Sequence, residues 1–463
     1  MGNHTLEALQ ARYGERWRWL AVATVMLGTM ATVLSATVVN VALHDIMLEF
    51  GIRQGQVHWL ATGFIAAMTT TMLASSWLLD HFGIRRTLAV AMLLFSIVSV
   101  LGGFASTPEL LILARVAQGA VAGLMQPMAM FLVFRIFPRE RRGQAMGIYG
   151  MGVILAPALG PVLGGFLVDQ FNWRYVMFAP APVTLLGVFM ALRFLPLKPQ
   201  QADPYPFDLP GLVLLGLAIV SSLDALNRLQ QPAGSEVTIA VLAAVALLAL
   251  VLFVWRERRA RHPLLNVALL RRRSFLYANI GALALGLALF GSTYLIPLFV
   301  QTALSYSATE AGLLMLPAGI ALGITFPLAG RLADKRSSRG LILFGITLFA
   351  LSAMLFAVSG LELAFGWLAL WTILGRIGLG FMLPALSTGA LNPLEPHQLG
   401  AGSSTINFTR QLGGAYGVNI VALSIEYGDH AAGLPTIGAF HSAWWLVALF
   451  VGLAAVPVWR MKV

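Results

Sequence analysis

Three arginines stand inside apolar stretches where a charge is expensive. Arg115 lies in "ILARVAQGAVAGLMQP", Arg376 in "ILGRIGLGFMLP" and Arg410 in "NFTRQLGGAYGVN". A guanidinium at the centre of a membrane helix costs roughly 2.5–3.5 kcal/mol on insertion scales, so each calls for a polar network, a coupling role or an anion. Arg115, Gly119, Gly123 and Pro127 are spaced by four, as are Arg376, Gly380 and Pro384, which lines each set along one helix face. A second chemistry-bearing cluster is also written twice. "LLDHFGIRRTL" carries Asp80, Arg85 and Arg86, and "GRLADKRSSRGLIL" carries Asp334 and Arg336. In each copy an aspartate ends an apolar run, bases follow, and an arginine-bearing run comes after one further apolar run. The chain therefore reads as a duplication.

The elements that must position these residues follow from composition. The chain has 463 residues, 58% hydrophobic and 11% charged, with a mean hydropathy of +0.81. A soluble domain is nearer 25% charged, so this is the composition of a polytopic membrane protein. A spanning helix needs about 20 mostly apolar residues. Such runs fall near 17–43, 58–79, 87–105, 109–134, 144–168, 174–195, 210–229, 236–255, 274–300, 309–330, 339–360, 364–390, 403–425 and 438–459. That is fourteen, an even number, which predicts both termini on one side. The N-terminus does not read as a cleavable signal, because Glu7 and Glu15 precede a first apolar run too long for one.

Placing the N-terminus in the cytoplasm puts 24 of the 30 lysines and arginines in inside segments, and only Arg53, Arg174 and Arg228 outside. That bias is the positive-inside rule. It also removes nucleic acid as a partner: the net charge of +11 is spread over short loops beside a bilayer. The predicted organisation is a cytoplasmic segment at 1–16, a six-helix half at 17–195, and a linker with two additional helices and a basic loop at 196–273. A second six-helix half at 274–459 and a tail at 460–463 complete it.

This order resembles the major facilitator superfamily, and within it the fourteen-span drug:proton antiporter branch, the EmrB/QacA-like proteins. The resemblance covers nearly the whole chain. It implies an all-α fold of two six-helix halves with two extra central helices, and secondary active efflux of small hydrophobic or amphiphilic molecules by alternating access. "LLDHFGIRR" resembles the loop between helices 2 and 3, where aspartate and arginine clasp neighbouring helix ends; Ser76 or Trp77 stands where the pattern begins with glycine. This implies a gating latch of Asp80, Arg85 and Arg86, with Asp334 and Arg336 as its second copy. "RVAQGAVAG" resembles the helix-4 motif and implies a coupling role for Arg115. "GVILAPALGPVLGGF" resembles the antiporter motif of helix 5, with Gly152, Ala156, Gly160 and Gly164 every four residues and Pro157 and Pro161 bending the helix. A smooth, bent helix where two halves meet suits a hinge and a seal.

"VLSATVVNVALHDI" resembles the first-helix motif through Thr37, Asn40, Ala42 and Leu43. It departs at one position: the branch places an aspartate two residues before that threonine, and here the residue is Ser35. A serine does not titrate near neutral pH. Of the 19 acids, Asp224 alone lies well within a predicted span, with Glu310 and Glu426 near span ends. His44 and His58 flank the first outer loop.

The polar residues Ser35, Thr37, Asn40, Arg115, Gln118, Gln126, Asn407, Arg410 and Gln411 are the expected cavity lining, with Asn419 further along "NFTRQLGGAYGVN". Trp59, Phe64, Met68, Met72, Met125 and Met128 offer an adaptable apolar wall. An arginine at 410 favours anionic groups unless a carboxylate neutralises it. No metal site, nucleotide-binding loop or other enzyme constellation is written in the chain, and cysteine is absent. No cofactor is expected.

The leading reading is a proton-driven exporter in a bacterial inner membrane, both termini cytoplasmic. Ser35 keeps two alternatives open: an exporter or facilitator of an anionic amphiphile such as a fatty acid or lysolipid with altered or no proton coupling, or a non-transporting membrane sensor. A periplasmic adaptor and an outer-membrane channel are further partners that the resemblance suggests.

Overall fold

The computed structural model describes residues 5–52, 54–197, 205–230, 235–360, 362–428, 430–431 and 434–461. They form helices almost throughout, as a chain in lipid must if every backbone group is to be satisfied within its own segment. In chain order these are α1 (Leu6–Tyr13), α2 (Arg16–Phe50), α3 (Gln54–Val57), α4 (Trp59–Thr71), α5 (Ala74–Gly103), α6 (Pro108–Ile136), α7 (Arg142–Gln170), α8 (Arg174–Phe178) and α9 (Pro180–Phe194). Then come α10 (Leu209–Leu229), α11 (Glu236–Arg259), α12 (Val267–Leu270), α13 (Arg273–Thr302), α14 (Ala308–Ala333), α15 (Ser338–Ala357), α16 (Phe365–Leu391), α17 (Leu399–Glu426), α18 (Ile437–Leu453) and α19 (Ala455–Trp459). The only strands among the described residues are His430–Ala431 and Leu434–Pro435, which pair antiparallel.

Eleven helices among the described residues are long and apolar enough to cross a bilayer. α4, α7 and α17 are not among them, and in α17 Asn407, Arg410, Gln411 and Asn419 lower the hydropathy. α17 is nonetheless packed into the bundle, burying Asn407 and Gln411. α4 is short because the pass it begins is completed by the first turns of α5. That helix is broken at Gly83, whose φ of 72° is left-handed and suits glycine. Beyond it the chain turns back, so that the Thr87 hydroxyl donates to the Leu78 carbonyl at 3.2 Å.

The packing repeats, as the duplicated sequence motifs do. α2 packs on α7 as α13 packs on α17; α4 packs on α6 as α14 packs on α16; α5 packs on α6 and α9 as α15 packs on α16 and α18. Glycines bring these pairs close. A Cβ at Gly119 would lie 2.2 Å from the Phe64 carbonyl, and one at Gly286 would lie 1.9 Å from the Arg410 carbonyl. α10 and α11 pack on each other, and α10 also lies against α4 and α17, bridging the two groups. The Ser222 and Tyr416 hydroxyls share a hydrogen bond, and Gln230 donates to Asn419 at 3.0 Å.

Both described ends of the chain lie at one end of the bundle. Arg141 reaches Glu15 near the N-terminus, and Arg339 donates to the Trp459 carbonyl near the C-terminus. The start of α7 and the end of α14, which join beside them, tie these contacts together.

Candidate functional site

Arg115 is 1% exposed, on α6. Its Nε donates to the Leu60 carbonyl at 3.1 Å, and its Nη1 donates to Ser35 Oγ at 3.0 Å and Gln118 Oε1 at 2.8 Å. Gln118 passes the chain on, donating to Ser99, which donates to the Met177 carbonyl. The Phe64 ring lies under the guanidinium, 4.3 Å from Cζ to centroid, a favourable place for a desolvated cation. The four helices α2, α4, α5 and α6 thus converge on one charge, and every partner is neutral. Ser35, the position where the sequence resemblance implies an acid, is an acceptor for Arg115. Leu60 and Ser99 could not be picked out from sequence: one contributes a backbone carbonyl and the other is an ordinary-looking serine in an apolar run.

The second arginine helix is furnished more sparely. Arg376 is 5% exposed on α16, and its Nη2 donates to Thr293 Oγ1 at 3.0 Å. It lines a small cavity with Ser292, Ser352, Thr372 and Trp444.

Arg410 lies between the two groups of helices. Its Nη2 donates to Gln126 Oε1 on α6 at 2.7 Å and to Asn407 Oδ1 at 3.2 Å. Asn407 Nδ2 in turn donates to the Ser403 carbonyl and reaches Met130 Sδ. A small cavity beside Arg410 is lined by Met130, Leu285, Leu383, Leu386, Ser387 and Ile406, among others. Gln126, Asn407 and Gln411 are buried.

The other expected lining residues are not gathered here. Thr37 donates to the Val33 and Leu34 carbonyls of its own helix and faces Gly160. Asn40 and His44 are exposed, and His58 hydrogen-bonds Thr62. Phe64, Met68, Met72, Met125 and Met128 belong to the hydrophobic core. Asp224 is ion-paired with Arg228 one turn on, at 3.0 Å. Glu426 is exposed, and Glu310 closes a capping box with Ser307 at the start of α14.

The two aspartates of the repeated cluster are used differently. Asp334 follows α14 and accepts from the backbone N–H of Gly143 at 2.6 Å and of Gln144 at 2.8 Å. These are early amides of α7, which have no partner within their own helix, and Arg141 at the cap position offers no side-chain acceptor. A carboxylate there also meets the positive end of the helix dipole. Burial pushes the Asp334 carboxyl above its ordinary range, the two N–H donors oppose that, and Glu140 adds to the rise. Asp80, by contrast, is exposed, and accepts from the Tyr205 hydroxyl at 2.9 Å. Arg85 donates to the Leu192 carbonyl, while Arg86 and Arg336 are exposed.

α7 carries two smooth faces. Gly152, Gly160 and Gly164 are turned to α2: their Cβ atoms would meet Met26, Thr37 and Val38. The side chains of Pro157 and Pro161 lie outside the described residues. Gly143 and Gly152 are nine residues apart, two and a half turns, so they lie on opposite faces. Gly143 and Gly147 face α14, where Cβ atoms would come 2.3 Å from the carbonyls of Gly330 and Phe326. Gly323, Gly319 and Gly312 share the face of Gly330, at spacings of about two, three and five turns. A Cβ added at any of them would meet nothing within 4 Å, and neither would one at Gly165 on α7. The closest backbone approaches between the two helices that these glycines make lie at the end that holds the chain termini. Arg142 to Asn392 at 3.0 Å and Ser75 to Ser404 at 2.7 Å reinforce the closed end.

Comparison with known proteins agrees with this architecture. The model of the Major Facilitator Superfamily matches residues 25–418. A multidrug resistance protein B homolog of Mycobacterium tuberculosis (strain CDC 1551 / Oshkosh) is 33% identical over 413 residues, which cover 87% of this chain and 75% of that protein. The multidrug export protein EmrB of Escherichia coli (strain K12) is 32% identical over 412 residues, 87% of this chain and 79% of its own length. Among solved structures, that of the human organic anion transporter MFSD10 (TETRAN) matches with a TM-score of 0.67 over 96% of this chain and 99% of that one. At 16% identity, that likeness is one of fold alone.

Proposed function

The chain belongs to the major facilitator superfamily, and from that premise we propose that it is a secondary active exporter of small hydrophobic or amphiphilic molecules, working by alternating access. The observation that carries the reading is the seam between the two groups of helices. It is closed at one end by Asp334 on the start of α7 and by the Gly143–Gly330 contact, whereas Gly319 and Gly312, further along α14, face open space. A seam bolted at one end by a few separable contacts is what a rocking transporter needs in one of its two states.

The membrane arrangement in this reading is fourteen crossings in a bacterial inner membrane, with both termini in the cytoplasm. The closed end is then cytoplasmic and the structure faces outward. The distribution of basic residues and the shared end of the two termini support it. An adaptor and an outer-membrane channel would extend the path in a two-membrane cell.

Coupling in this protein differs from an acid-centred scheme. Ser35 gives Arg115 a neutral acceptor where the resembling branch has an acid, and Asp224 is ion-paired in the inserted helices. In this reading no single carboxylate in the membrane interior is essential. The test is purified protein in liposomes, with pyrene-butyl amphiphiles ending in sulfonate, carboxamide or trimethylammonium. At least one probe is expected to move faster than through protein-free liposomes. Movement of none, with or without a pH gradient, would leave a sensor or scaffold as the better reading. Gradient-driven movement abolished by Asp224→Asn alone would restore a carboxylate to the centre of the mechanism.

A further inference from the structure

Among the described residues, the interior of the bundle holds three guanidiniums, and none of them is ion-paired. The described ion pairs of Asp and Glu with arginine join Arg141 to Glu15, Arg174 to Glu49, Arg228 to Asp224 and Arg256 to Asp208. Arg115 is satisfied by three neutral acceptors. Arg410 is not: its Nε is buried and has no hydrogen-bond partner. Leaving such a donor unmet is costly, and the more so when the group is charged.

The surroundings say what would meet it. Gln126 and Asn407 both direct an amide oxygen at Nη2, and so fix the plane of the guanidinium. Their oxygens stabilise the charge without cancelling it. The residue itself is partly accessible, and the cavity beside it is walled chiefly by Met130, Leu285, Leu383, Leu386 and Ile406. An uncancelled planar cation with a spare donor, set in an apolar wall, matches an oxyanion that carries a hydrophobic body. A cationic amphiphile would have to desolvate its charge against Arg410 with no carboxylate to receive it, which is repulsive and costly in a low-dielectric site.

We infer that Arg410 receives the acid group of an anionic amphiphile, with Gln126 and Asn407 as the residues that position it. Gln126 comes from α6 and Arg410 from α17, so an anion drawn to the guanidinium competes for a bond that joins the two groups of helices. Binding would thereby loosen one central tie between them. The inference rests on the transporter reading for its role but not for its test.

Binding is measured on purified protein in nonionic detergent, by energy transfer from tryptophan to the three pyrene-butyl probes. The sulfonate is expected to bind about tenfold or more tighter than the carboxamide, a difference of about 1.4 kcal/mol, and the trimethylammonium probe more weakly still. Arg410→Gln is expected to erase that order, and Arg410→Lys, which keeps the charge but loses the fork, to retain it in weakened form. Gln126→Leu is expected to narrow the preference. Equal binding of the three probes, a preference for the cation, or an unchanged order in folded Arg410→Gln would overturn the inference. The charge series on the unmodified chain decides the matter even where a variant fails to fold. A sulfonate that binds selectively but is not moved in liposomes would count against the transporter reading and leave this one standing.

Discussion

The two copies of the aspartate cluster make different contacts. Asp334 spans the seam and caps a helix from the other group with two short hydrogen bonds, whereas Asp80 is exposed and bonded to Tyr205 of the segment that leads into the inserted helices. The arginine helices have diverged in the same way: Arg115 gathers acceptors from several helices, while Arg376 has Thr293 and a small polar cavity. Duplication preserves the backbone plan, because each half must bury the same helix faces. It does not preserve the second partner of each polar side chain, which comes from whatever lies opposite.

The strongest way to break this comparison is at the closed seam. Gly143→Leu places a side chain where even a Cβ would lie 2.3 Å from a backbone carbonyl that cannot move aside. Its probe flux in liposomes should fall by about tenfold or more, since overpacking costs about 1–3 kcal/mol, while Gly165→Leu, facing open space, should be near wild type. Matching losses in the two variants would mean that the contact is incidental.

Next in size is the pair of aspartates. Asp334→Ala removes the two hydrogen bonds that Asp334 accepts across the seam; water can meet the freed amides, and a net loss of about 1.4 kcal/mol corresponds to a roughly tenfold drop in flux. Asp80→Ala removes an exposed contact of about 0.2–1 kcal/mol and should reduce flux less than about threefold. Equal losses would show that the copies still act alike.

Ser35→Asp sharpens the arginine comparison. It sets a carboxylate about 3 Å from the Arg115 guanidinium, an ion pair that the second half has no counterpart for. The flux of the trimethylammonium probe relative to the sulfonate should then rise several-fold, because the added carboxylate cancels the charge of Arg115. An unchanged ratio would mean that position 35 has no line to the transport step. The smallest effect is expected from Asp224→Asn. Its ion pair with Arg228 is partly exposed and worth about 0–1 kcal/mol, so flux within about twofold of wild type is anticipated. A larger loss would move the functional centre into the inserted helices.

Much of this protein was legible in its sequence. Hydropathy announced a helical membrane bundle, since lipid leaves a polar backbone few other forms. The repeated cluster and arginine helices announced a duplication, and the major facilitator resemblance carried by Arg115, Gly152 and their neighbours was sound. Eleven of the fourteen predicted runs fall on helices long and apolar enough to cross a bilayer among the described residues, and the runs that end at 79 and resume at 87 lie on either side of the break at Gly83.

What only the tertiary structure decided were the partners. The sequence marked Arg115 and Ser35, eighty positions apart, without relating them; their hydrogen bond exists because α2 and α6 cross there. It marked Asp334, but the groups that Asp334 holds are backbone amides, which every residue except proline possesses and no sequence can single out. It left open whether a carboxylate neutralises Arg410, and the fold answered with two amide oxygens and an unmet Nε–H. Helix formation in lipid depends on local composition and is therefore written along the chain. Pairing of buried polar groups depends on which faces meet across hundreds of residues, and that is set only when the bundle closes.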